Sequence, residues 1–180
     1  NFGLGNVLHG KTLGIWGYGK IGQLVAGFGR AFGMKVVVWG GLSSMEKAQQ
    51  DGHSAAISRE AFFRESDVLS LHLKLTDDTR EIIKVNDLAE MKPSSLLVNT
   101  SHAELVEANA LICALNRGCP GMAAVDVFEN EPIMQGHALL RLENCICTPH
   151  IGYVEQDNYE TYFGAAFDNV TNFIKGTTTN

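Results

Sequence analysis

Apolar residues in this chain fall in short runs, and the spacing inside each run predicts an element. Thr12-Leu-Gly-Ile-Trp16 is a brief apolar run that stops at a cluster of glycines. Residues 21–32 follow with apolar positions at Ile21, Leu24, Val25, Phe28 and Phe32, which is helical spacing. Gly33 then closes the helix, and Lys35-Val-Val-Val-Trp39 is a continuous run of the buried-strand type. The alternation continues with a short helix at 61–65, a strand at 68–71, a helical turn at 85–91 and a strand at 96–98. A clear helix is expected over 104–116, opened by a capping box in Ser101-His102-Ala103-Glu104. Residues 122–125 and 145–147 read as strands, and 159–174 as a closing amphipathic helix before a frayed Thr177-Thr-Thr-Asn180 end. Strand and helix in alternation predict an α/β fold with a doubly wound parallel sheet in a single domain.

Composition agrees with a packed core and narrows the partners. Of 180 residues, 45% are apolar and 19% charged, which is far from the composition of a disordered chain. The net charge is -6 with Lys and Arg scattered singly, so no basic face is expected for a phosphate backbone and nucleic acid is excluded as a partner. No apolar run approaches the roughly 18 residues of a membrane span, and Asn1 to Val7 lack a signal-peptide layout. Cys113, Cys119, Cys145 and Cys147 are too few for a disulfide scaffold. Cys145-Ile-Cys147 points both thiols to one face of a strand with no second pair nearby, so no metal site is expected. Reduced, buried thiols and a cytoplasmic location follow.

The candidate binding motif is Gly17-Tyr18-Gly19-Lys20-Ile21-Gly22, a GxGxxG sequence that follows a strand, opens a helix and precedes a second strand. Gly17 permits the tight turn, Gly19 lets the backbone approach a pyrophosphate, and Gly22 lets helix and strand pack closely. The helix N-terminus adds free N–H groups and positive potential. These residues predict a Rossmann dinucleotide site. A ligand-free glycine turn and a site for an adenosine-containing methyl donor are the alternatives. About 20 residues on, a carboxylate usually holds the ribose of NAD. Here the chain reads Trp39-Gly40-Gly41-Leu42-Ser43-Ser44, with neither that carboxylate nor an arginine for a 2′-phosphate, so NAD and NADP both stay open. Ser43 and Ser44 suit ribose or phosphate contacts, and equally suit helix N-caps.

Three further segments follow in order: Val98-Asn-Thr-Ser-His-Ala-Glu-Leu-Val-Glu107, Ala124-Val-Asp-Val-Phe-Glu-Asn-Glu-Pro132 and Thr148-Pro-His-Ile-Gly152. With the glycine motif they resemble the D-2-hydroxyacid dehydrogenase family, whose relatives include phosphoglycerate, glycerate and formate dehydrogenases. The resemblance runs from about Gly10 to Lys175. It implies that His150 exchanges a proton with the substrate oxygen and that Glu131 pairs with that imidazole. It also implies that Asp126 holds the nicotinamide carboxamide, and that Leu73, Thr100, Ile151 and Gly152 line the cofactor site with Gly40 and the glycine motif. A histidine suits this chemistry because it takes and gives a proton near neutral pH, and a carboxylate partner orients the ring. Taken alone, His150 also reads as a strand-end histidine satisfied by its neighbours, Glu129 and Glu131 as a solvated turn, and Asp126 as a cap. His72 reads as a strand residue, and His9, His53 and His137 as surface residues.

The chain departs from the family pattern in two places. His102 stands where the resemblance implies an arginine that clamps the substrate carboxylate, and an imidazole offers no comparable pair of parallel hydrogen bonds. It falls in the first turn of the helix expected after Ser101, where the helix dipole disfavours a cation. Its alternative is a first-turn residue with no ligand. The family's substrate domain also has no counterpart here beyond the closing helix near 155–175, so the whole chain is expected to be a dinucleotide-binding domain. Two functions are therefore carried forward: a dehydrogenase cofactor domain acting on a 2-hydroxy or 2-oxo acid, and a catalytically silent NADH sensor or assembly module. The family resemblance implies a homodimer, with apolar residues of 2–8 and 121–124 as candidate contacts.

Overall fold

The computed structural model describes residues 5–177. Seven strands form one parallel sheet in the order β3-β2-β1-β4-β5-β6-β7. They are β1 (Thr12–Trp16), β2 (Lys35–Trp39), β3 (Ser54–Ala55), β4 (Val68–Leu71), β5 (Leu96–Asn99), β6 (Met122–Val125) and β7 (Cys145–Cys147). The chain steps outward from β1 to β2 and β3, then crosses back to β4 on the other side of β1. That reversal leaves a crevice at the carboxyl ends of β1 and β4, where open α/β sheets bind ligands.

Alternation along the strands builds a core on each face of the sheet. Leu13 and Ile15 point to one side and meet Val36, Val38, Ala26 and Ala48 under α1 (Lys20–Ala31) and α2 (Leu42–Gln50). Trp16, Leu69, Leu71 and Leu97 point to the other and meet α3 (Arg59–Glu65), α4 (Val85–Ala89) and α5 (Ala110–Arg117). Phe62 and Phe63 of α3 are fully buried there, each edge-on to Trp16 and to each other. The Arg59 guanidinium lies 5.1 Å from the Trp16 ring and donates to both carboxylate oxygens of Asp87.

Four features differ from the sequence expectation. In α1 the apolar stripe turns outward: Ile21, Leu24, Phe28 and Phe32 are about two-thirds exposed, and Gly22, Ala26 and Gly29 are buried instead. The helix lies so close to β1 that a methyl group on Gly29 would strike the Leu13 side chain, so only small residues fit beneath it. The helix expected over 104–116 is broken. Only Ala103–Leu105 make a 3₁₀ turn, residues 104–107 pair with the backbone of 81–83, and α5 starts after Asn109, which takes φ 62°. Ser101 caps nothing, because its hydroxyl donates to Leu71 O at 2.7 Å. His102 is therefore the N-cap of a single 3₁₀ turn and not a first-turn residue of a helix. Finally, β3 has no signal in the sequence, and the helix that Ser43 and Ser44 suggest, α2, is capped by Gly41 instead, with both serines inside its first turn.

Gly33 does close α1, at φ 73°, and all four cysteines are free, but none is buried as expected: Cys113 is exposed and Cys119, Cys145 and Cys147 are partly buried. Contacts divide the chain into a unit up to Pro149, which holds the whole sheet, and a second unit from His150. The second unit is α6 (Gln156–Ile174) with its preceding turn; none of the helix is buried, and Phe163, Phe167, Val170 and Ile174 leave an exposed apolar stripe. The expected frayed end after Thr177 lies outside the described residues, as do residues 2–4 of the expected dimer contact.

Candidate cofactor and active site

The glycine motif occupies the turn between β1 and α1, and each glycine has a distinct steric reason. Gly17 takes φ 97°, and a side chain there would sit 2.6 Å from His72 O, so only glycine lets β1 turn beside the end of β4. A side chain on Gly22 would collide with Gly17 O, which seals the first helical turn against the loop. Gly19, the N-cap of α1, has nothing within 4 Å of its missing side chain, so this position opens onto free space. The first turn of α1 holds no acidic residue and no side-chain cap, which leaves its leading N–H groups for an anion.

In front of this turn is a cleft of about 490 Å³ lined by Gly19, Lys20, Ile21, Gly22, His72, Leu73, Lys74, Thr100, Ser101 and His102. Seven predicted site residues thus meet in one place: Gly19, Lys20, Ile21, Gly22, Leu73, Thr100 and His102. Among the described residues neither Lys20 nor Lys74 is ion-paired, so both cations face the cleft uncompensated. Asn99, behind Thr100, braces the loop that carries Ser101 and His102. Its side-chain N–H donates to His102 O at 2.9 Å, its Oδ1 accepts from Ser101 N at 3.1 Å, and it is 3% exposed. A wider depression of about 1120 Å³ lies at the amino ends of β1 to β3, around Thr12, Lys35 and Ser54, away from the crevice.

The other predicted residues are placed separately. Gly40 follows β2 beside Ser44 of α2, and no carboxylate lies between Trp39 and Ser44. The Tyr18 ring is buried in the core under α1, and its hydroxyl donates to Asp51 Oδ2 at 3.1 Å. Burial and that carboxylate push its pKa up to about 12, so only the Tyr18 backbone is presented to the loop. Asp126 follows β6, is 5% exposed, and accepts the Thr148 hydroxyl at 2.6 Å. Glu131 accepts Phe128 N at 3.0 Å, which folds the segment after β6 into a tight turn. In the second unit, His150 takes φ 55°, a left-handed conformation uncommon outside glycine, and its ring meets Tyr153 edge-on at 5.7 Å; Ile151 and Gly152 follow, both exposed.

Sequence reasoning passed over His72 and Lys74. His72 follows β4 rather than lying in it, and its ring shares a 2.9 Å hydrogen bond with Ser70 Oγ. The available signal was position, since the residue after a buried strand next to the switch point faces the crevice. Burial lowers the His72 pKa from its ordinary 6.5 and keeps the ring neutral at pH 7. The unfolded chain therefore takes up the proton first. Stability is full above pH 6.5 and falls as the pH drops towards the folded value, and His53 acts in the same direction. Urea unfolding at about pH 7.5 and about pH 5.5 should show the loss, and His72→Gln should reduce it. An unaltered pH slope in that variant would reject the assignment.

The family profile described as D-isomer specific 2-hydroxyacid dehydrogenase, NAD binding domain, matches residues 1–152. The chain belongs to that family. It is 39% identical over 173 residues to a glyoxylate reductase of Aeropyrum pernix, covering 96% of this chain and 51% of the relative. A solved oxidoreductase structure from Ralstonia solanacearum is 65% identical with a TM-score of 0.94, over 99% of this chain and 52% of that one. A D-lactate dehydrogenase from Aquifex aeolicus, solved with NAD and lactic acid, is 33% identical with a TM-score of 0.82, over 97% of this chain and 56% of that one. The chain spans about half the length of the curated relatives it matches. What it carries is that family's NAD-binding domain. The residues present fit a dinucleotide: the open Gly19 turn admits a pyrophosphate, α1 and Lys20 supply its positive surroundings, and the cleft continues along β4 and β5 past Leu73 and Thr100. No helix among the described residues is long and apolar enough to cross a membrane.

Proposed function

We propose that the protein containing this chain interconverts a 2-hydroxy acid and a 2-oxo acid using NAD or NADP. The observation that carries this reading is the open Gly19 turn at the switch point, with Lys20, Thr100 and His102 gathered on the same cleft. A bound nicotinamide dinucleotide supplies or accepts the hydride. The chain's own residues do the rest. Lys20 and the N–H groups of α1 neutralise the pyrophosphate. Asp126, held by Thr148, takes the carboxamide, and Gly40, Leu73, Ile151 and Gly152 shape the remainder of the site. His150 gives or takes the proton at the substrate oxygen, with Glu131 orienting its ring. His102 faces the substrate carboxylate in place of a guanidinium, which makes a weaker clamp.

Calorimetric titration with NADH and then NADPH is the test. Tight binding of either establishes the site and names the cofactor, and binding of neither removes the proposal. A second reading, a catalytically silent NADH sensor or assembly module, is favoured by His102 alone. In the full-length protein, His102→Arg separates the two: a large rise in turnover rejects the silent reading, and no turnover with tight NADH binding supports it.

Homodimerisation is part of the proposal. Val7, Leu8 and Met122 share one groove of about 180 Å³ with Val68 and Leu96, which brings the two apolar stretches singled out in the sequence to one surface. The outward stripe of α1 offers a second apolar surface of the same kind. Four free thiols support a reducing, cytoplasmic location.

A further inference from the structure

Cys145 and Cys147 lie at the two ends of β7, the outermost strand of the sheet, with their Sγ atoms 3.7 Å apart. Ile146 between them points the other way and is 58% exposed. Both thiols are half-buried against the core beneath the turn at Ala138–Arg141, and neither is bonded to another cysteine. We propose that Cys145 and Cys147 form a dithiol modification site that closes to an intrastrand disulfide, and that closure weakens dinucleotide binding. The second half of this inference rests on the reading of Asp126 as the carboxamide ligand.

Geometry carries the argument. Residues i and i+2 of an extended strand have Cα atoms about 6.6 Å apart, near the upper limit for a disulfide, whose preferred span is about 5.5–6 Å. Closure therefore shortens β7 by several tenths of an ångström while the sulfurs move from 3.7 Å to bonding distance. An edge strand can do this, because it is paired on one side only, to β6. The neighbour that moves is Thr148. Its N–H donates to Val125 O at 3.0 Å and its hydroxyl to Asp126 Oδ1 at 2.6 Å, whereas Asp126 is fixed independently by its own N–H to Asn99 O. Shortening β7 draws the hydroxyl away from the Asp126 carboxylate, whose backbone stays tied to β5.

The oxidant is a low-molecular-weight disulfide. The Cys147 thiolate attacks one of its sulfurs, forming a mixed disulfide and releasing one small thiolate. The Cys145 sulfur then displaces the second small thiol, which leaves carrying the Cys145 proton. Two protein thiols become one disulfide, and the small disulfide becomes two thiols. Burial pushes the Cys145 thiol up to about 12, which casts it as the resolving partner and makes closure faster at higher pH.

The test uses the chain with Cys113→Ser and Cys119→Ser, so that only this pair remains. Treated with oxidised glutathione, it should lose the mass of two hydrogens, with that loss located in the tryptic peptide 142–175, and resist alkylation until reduced. Calorimetry should then show NADH binding several-fold weaker after oxidation and restored by dithiothreitol, and Cys147→Ser should abolish the response. Independent glutathionylation of the two thiols, or disulfides only between molecules, would overturn the site. A closed disulfide with unchanged NADH affinity would overturn the coupling. Failure of the reduced chain to bind NADH would instead remove the dinucleotide reading, while the mass and alkylation results would still judge the dithiol.

Discussion

Gly19→Ala should leave the chain folded and weaken NADH binding at least tenfold, about 1.4 kcal/mol. The added methyl meets no atom within 4 Å, and Gly19 has φ -79°, so neither sterics nor backbone strain opposes it. Alanine is a poorer N-cap than glycine, which costs about 1 kcal/mol at most, or about 2–4 °C in melting temperature for a chain of this size. The methyl projects into the space that a pyrophosphate must enter to reach the N–H groups of α1. Gly22→Ala is the contrasting control. Its methyl collides with Gly17 O, so the helix must retreat from the turn, and overpacking of this kind costs about 1–3 kcal/mol. Scanning calorimetry and an NADH titration on both variants separate the roles. Equal affinities in Gly19→Ala and the parent chain would show that no ligand approaches this backbone.

Phe62→Ala is expected to lower stability by about 3–5 kcal/mol, a large share of the roughly 5–15 kcal/mol available to a domain. Phe62 is fully buried and edge-on to both Trp16 and Phe63, so the vacated volume is bounded by rigid rings that relax poorly. It also lies beside Gly14 of β1, where a side chain would meet the Phe62 ring and Ser66 Oγ. Ser66 is itself fixed, since its hydroxyl donates to Phe62 O at 2.7 Å. The melting temperature should fall by about 6–20 °C. A loss below about 1 kcal/mol in urea unfolding would mean that α3 repacks freely over β1.

Much of this architecture is legible in the sequence because a parallel sheet buries both faces, and continuous runs such as Lys35–Trp39 have no other use. The glycine motif is legible for a similar reason: three separate steric demands meet in six residues. What escaped detection depends on partners far along the chain. Periodicity identifies α1 as a helix, but the buried face is chosen by the closeness of Leu13, which rewards Gly22, Ala26 and Gly29 over the larger residues. Ser101 has the local pattern of a cap, yet a carbonyl thirty positions earlier, Leu71 O, takes its hydroxyl. The backbone of 81–83 likewise recruits residues 104–107 before a helix can form. His72 and Lys74 reach the cleft only because β4 lands next to β1, and that adjacency belongs to the topology of the sheet.

Trp16 and Trp39 are the only two tryptophans of the chain, and they face each other in register at the carboxyl ends of β1 and β2. Gly17 N donates to Trp39 O at 3.1 Å, so the backbones of both tryptophans flank the start of the glycine turn. Tryptophan emission overlaps the absorption of a reduced nicotinamide, and a dinucleotide in this crevice would lie within range of both rings. The domain thus carries its own optical probe: occupancy reads out as quenched indole fluorescence and sensitised nicotinamide emission, with no label attached.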